Sequence, residues 1–102
     1  MNVIFFNPTI KDFLRSLKGH SKSKSSKYID LLNRFGNNLG MPYSKKISYN
    51  LFELRIRGQQ EIRIFYCFHQ NQAVIVHAFV KKSQKTPRKE IQTALRRIAL
   101  LT

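Results

Sequence analysis

The chain has 102 residues, of which 19 are Lys or Arg and only 5 are Asp or Glu, for a net charge of +14. That length allows one modest core and excludes a second, and a hydrophobic content of 42% excludes a disordered basic tail. Nine bases fall in 1–50 and ten in 51–102, so the excess belongs to the folded body and points to a polyanion. Nucleic acid leads, because neutralised phosphates release counterions; an acidic protein comes second and an anionic membrane last.

Residues 2–6 read as a short strand ended by Asn7-Pro8, and Pro8 suits the first turn of a helix running to about Leu17. Its apolar positions Ile10, Phe13, Leu14 and Leu17 keep helical spacing, and Gly19 is the expected stop. The opening segment has neither a basic n-region nor a long apolar run, so no signal peptide is read and a cytoplasmic location is expected. Residues 21–26 are expected to open a second helix through a serine cap, with Tyr28, Leu31, Leu32, Phe35 and Leu39 on its buried face and Gly36 and Gly40 at its end. The outer side of this helical hairpin shows Lys18, Lys22, Lys24, Lys27 and Arg34.

After Tyr49 the period changes from that of a helix to that of a strand. Leu51–Arg57, Glu61 to about His69 and Ala73 to about Lys82 read as three strands, with a further short one near Lys45–Tyr49. Thr86 is expected to cap a last helix with Pro87 at its first position and Ile91, Ala94, Leu95, Ile98 and Leu101 as its buried stripe. The expected fold is therefore α+β: one small domain over 1–102 in the order β-α-α-β-β-β-α, its N-terminal strand and helical hairpin packed on a mainly antiparallel sheet. Cys67, alone and within an apolar strand, reads as a buried thiol, not a nucleophile or metal ligand.

If Gly58-Gln59-Gln60 closes a three-residue loop, Ile56 pairs with Ile62, Leu54 with Ile64 and Phe52 with Tyr66, and Arg55 lies directly opposite Arg63. Like charges facing across a ladder are destabilising, so the pair needs Glu53 or Glu61 inside, or an anion outside. A three-residue loop at Gln70-Asn71-Gln72 brings Lys81 beside them on an open sheet face; an even count brings Lys82. Tyr66 turns to the core, His77 reads as a satisfied structural histidine, and His20 and His69 fall in a loop and a turn. The sequence holds no carboxylate pair at acid/base spacing, no His/Cys cluster and no Gly-rich phosphate loop, which argues against metal-dependent and nucleotide-kinase chemistry. Attack of an RNA 2′-OH on its own phosphate needs no metal or other cofactor, only proton shuffling and stabilisation of negative charge, which Arg and Lys donors supply in part.

Phe52-Glu-Leu-Arg55, Arg63-Ile-Phe-Tyr66 and His77-Ala-Phe-Val-Lys-Lys-Ser-Gln-Lys-Thr-Pro87, followed by Glu90 and Ala94, resemble the HigB-like, phage-derived branch of the RelE/ParE toxin superfamily. The resemblance implies a toxin that cleaves messenger RNA, commonly on the ribosome, and is silenced by a cognate antitoxin, often a helix-turn-helix protein. It implies catalytic roles for Arg55, Arg63 and Lys81 or Lys82. Lys85, Arg57, Arg88, Lys89, Lys45 and Lys46 are read as RNA-binding. Glu53 stands where some relatives carry a second base, and neither the general acid nor the general base is assigned. The other readings are a gyrase-inhibiting ParE-like toxin and a non-catalytic RNA-binding module.

Overall fold

Asn7 accepts a hydrogen bond from the Ile10 N–H at 3.0 Å and Pro8 follows it in the first turn, so the chain leaves β1 (Asn2–Phe5) directly into α1 (Pro8–Ser16). The structure, a computed structural model, describes residues 1–101. Helix α2 spans Gly19–Phe35 and starts earlier than its serine run, with Lys18 at the cap position and no side-chain cap. The serines lie within the helix, where Ser25 is buried beside α1 and Leu32 within the core, while Phe35 is half exposed. Gly36 takes φ 50° and ends α2, a conformation that favours glycine.

After a short 3-10 turn over Gly36–Asn38, the remaining elements are β2 (Ser44–Ser48), β3 (Leu51–Ile56), β4 (Glu61–His69), β5 (Gln72–Lys81) and α3 (Arg88–Ala99). They form one sheet in the order β1-β5-β4-β3-β2, antiparallel except for the parallel β1–β5 edge. The short strand near Lys45 is thus real. On one face, Leu54, Ile56, Ile62, Ile64, Tyr66 and Ile75 meet Ile10, Leu14, Leu17 and Leu32 of the helical hairpin. On the other, Phe65, Cys67, Val74, Val76 and Phe79 lie beneath Ile91, Ala94 and Ile98 of α3, leaving Leu95 largely exposed. Each such buried aliphatic or aromatic side chain contributes roughly 1.5–3 kcal/mol, so the alternating strands hold both helical layers.

Two irregularities in β5 decide what reaches its end. His69 pairs with Gln72, so the turn contains two residues, Gln70 and Asn71, both at positive φ, and not three. A two-residue turn alone would turn Lys82 toward Arg63. A bulge at Val76, between the pairs Phe65–His77 and Tyr66–Ile75, shifts the register back by one and pairs Lys81 with Glu61. Arg97 of α3 donates to the Val76 carbonyl at 2.7 Å, which ties the bulge to the closing helix.

Candidate functional site

Arg55 and Arg63 are direct partners across β3 and β4, as the alternation requires. Their repulsion is relieved from within. Glu53, only 4% exposed, has one oxygen 3.7 Å from Arg55 Nε and the other 3.7 Å from Arg63 Nε, and Arg63 also donates to Glu61 at 3.0 Å. Arg63 is 2% exposed, which corrects the expectation that it stands on an open face. Its guanidinium also donates to the Ile62 carbonyl at 3.2 Å, so Arg63 is held by Glu53, Glu61 and the backbone at the base of the site. Arg55 differs: its side chain is 21% exposed, and its buried Nε has no hydrogen-bond partner.

At the open end of the sheet, beyond α3, a cleft of about 680 Å³ is lined by Arg55, Arg57, Glu61, Arg63, Lys81 and Lys82, closed on one side by the Ser83-Gln84 turn. Lys81 donates to the carbonyls of Ser83 and Gln84, each at 2.8 Å, leaving one ammonium proton unused. It therefore folds the basic turn back over the cleft and keeps Lys82 at its rim. Burial alone would raise the Glu61 carboxyl, but hydrogen bonds from Arg63 and the Gly58 N–H, with the charges of Arg63 and Arg57, outweigh it and hold Glu61 below its ordinary 4.5. Glu61 is thus ionised near neutrality. Among the described residues five bases and Glu61 line the cleft, with Glu53 behind Arg55 and Arg63, so two carboxylates leave an excess of positive charge for an anion placed there.

The family model for phage-derived Gp49-like proteins matches residues 12–99. The chain belongs to the Gp49-like family. That family is one of toxins of toxin–antitoxin systems, and the match names no branch within it. No curated protein matches the chain significantly. In this Gp49-like chain no helix among the described residues is long and apolar enough to cross a membrane.

The other expected residues divide by position. Lys85, Arg88 and Lys89 are exposed on the turn and first turn of α3, and Lys45 and Lys46 are exposed on the edge strand β2. Lys45 pairs with Glu53 and so shares the face of the cleft, whereas Lys46 pairs with Phe52 and shares the face of the helical hairpin. Thr86 does not cap α3: its hydroxyl donates to Glu53 at 3.5 Å, and Pro87 holds the cap position. Tyr66 is buried, bonded to Ser44, and its phenol is raised by burial, which the Ser44 bond only partly offsets. Burial likewise pushes the Cys67 thiol up to about 11, so neither group faces the cleft as a nucleophile or acid. His77 is held between Glu90 at 2.9 Å and Arg97 at 3.4 Å and stacks on Phe79. The positioning role of Arg97 went unread because a basic residue late in a helix ordinarily complements its C-terminus.

Proposed function

We propose that this Gp49-like protein is the toxin of a type II toxin–antitoxin pair and a metal-independent endoribonuclease acting on messenger RNA, on the ribosome in the cytoplasm. The observation that carries the reading is that Arg55, Arg63, Lys81 and Lys82 line one cleft with Arg57. In it a scissile phosphate is held by the Arg55 guanidinium and by Lys82, with the free proton of Lys81 toward a non-bridging oxygen. The 2′-oxygen bonds to phosphorus, the bond to the 5′-oxygen breaks, and the products are a 2′,3′-cyclic phosphate and a 5′-hydroxyl. The proton lost by the 2′-OH passes to water or to Glu61, and the departing 5′-oxygen takes one from water or Lys82. Arg63 acts through Glu53 and Glu61, holding the sheet end in shape without touching the phosphate.

The cognate antitoxin, a helix-turn-helix protein by the family resemblance, would meet a surface whose charge favours an acidic segment. Mapping RNA ends after incubation with programmed ribosomes, in chelator, tests the reading: new 5′-hydroxyl ends within the decoding-site codon are expected. Intact messenger RNA with bound protein would favour the second reading, a non-catalytic RNA-binding module, which the internal neutralisation of Arg63 favours. Intact RNA with stalled gyrase would favour the ParE-like one.

A further inference from the structure

Beyond the cleft, on the helical side of the sheet, a groove of about 650 Å³ runs between the α1–α2 junction and the tip of the β3–β4 hairpin. Phe13, Leu17 and Val80 supply its apolar lining, and Lys18, His20 and Arg57 its polar edge; no carboxylate of the described residues lines it. Arg57 borders both the groove and the cleft. Val80 and Lys81 are successive strand residues that point to opposite faces, so the two depressions are two sides of one strand end. Lys24 donates to the Arg57 carbonyl at 2.8 Å and fixes the hairpin tip against α2, so the groove's two walls are tied by a tertiary contact.

We infer that this groove is a second RNA subsite, which receives the unpaired nucleotides adjoining the phosphate in the cleft. The inference rests on the RNA reading above. Single strands are held where a basic track runs beside surfaces on which bases can lie. Here Arg57 carries the backbone over the hairpin tip, Lys18 meets a phosphate beyond it, and a base rests against Phe13, Leu17 and the His20 ring. The path turns round a strand end, which suits a flexible single strand, and along it a phosphate meets no carboxylate of the described residues until Glu61, which is bonded to the Gly58 N–H at the hairpin tip.

Fluorescence-anisotropy titration of the full chain with a uridine trinucleotide, an octanucleotide and an octamer of abasic riboses tests the subsite. The octamer is expected to bind about tenfold tighter than the trimer, with most of that gain lost in the abasic strand. Ser16→Trp, which fills the groove from an exposed position and removes no charge, should bring the octamer down to the trimer's affinity; Lys18→Glu, whose fold is checked by thermal unfolding, should do the same. Octamer binding indifferent to both variants overturns the subsite, and if Lys82→Ala weakens it the cleft reading stands. Octamer binding lost with Ser16→Trp but indifferent to Lys82→Ala supports the groove and overturns the cleft. An acidic peptide that binds the groove in place of every RNA overturns the inference in favour of a protein partner.

Discussion

Glu53 joins Arg55 to Arg63: its two oxygens lie 3.7 Å from one guanidinium each, and the two arginines are direct partners across β3 and β4. One carboxylate thus makes an otherwise repulsive pair tolerable. It does so unequally, because Arg63 has a second carboxylate in Glu61 and Arg55 does not.

Arg63→Ala is accordingly expected to destabilise the fold by about 3 kcal/mol, because removing one member of a buried pair strands the other. Urea unfolding reads this directly. The double variant Glu53→Gln/Arg63→Met should recover much of the loss, since well-packed neutral side chains replace buried ions at little cost. A loss below about 1 kcal/mol for Arg63→Ala, the ordinary value for an exposed position, would contradict the buried assignment.

Glu61 gives the stability a pH dependence of defined sign. Its carboxyl lies below its ordinary 4.5 in the folded protein, so its contribution is present above that value and is lost as pH falls through the folded value. Urea midpoints of the wild type and Glu61→Gln should differ at pH 7 and converge in the acid range. Parallel curves at every pH would show that Glu61 is not held by Arg63.

Lys82, Lys85 and Arg57 are exposed and bonded to little, so replacing each by Ala should leave unfolding unchanged while weakening RNA binding. Each lost phosphate contact should reduce the salt slope of the binding constant by about 0.7. Slopes that stay at the wild-type value would show that these side chains do not meet phosphate.

Arg97→Met removes the donor at the Val76 carbonyl and one partner of His77. Hydrogen exchange should accelerate from Val76 to Lys81 and in the first turns of α3, with a destabilisation of about 1–3 kcal/mol. Exchange confined to α3 would show that the bulge holds without it.

The pairing of Arg55 with Arg63 was legible because Phe52, Leu54 and Ile56 alternate against Ile62, Ile64 and Tyr66, and a slip of one residue would bury charge. The side of Lys81 was legible for a different reason from the one inferred. The turn is one residue shorter than expected and the bulge at Val76 adds one back, and neither shows in a run as uniformly apolar as Ala73–Val76. The burial of Arg63 was not legible, because it depends on Glu61, Glu53 and the neighbouring strands closing round a side chain whose type is ordinarily exposed. Thr86-Pro87 looked like a helix start, but the hydroxyl finds Glu53, a partner distant in sequence, in place of the helix N–H groups. Of the cleft, the lining residues were readable and the different burial of Arg55 and Arg63 was not.

Single-turnover cleavage of ribosome-bound messenger RNA at saturating protein tests the central claim most directly, with Arg55→Ala set against the wild type. Arg55 reaches the cleft with a guanidinium that no hydrogen bond at Nε holds in place. Its loss is expected to slow the chemical step by about 10²–10³ while binding changes little. Cleavage at the wild-type rate, or a loss that high protein concentration fully restores, would contradict a cleft built to stabilise the phosphate in the transition state.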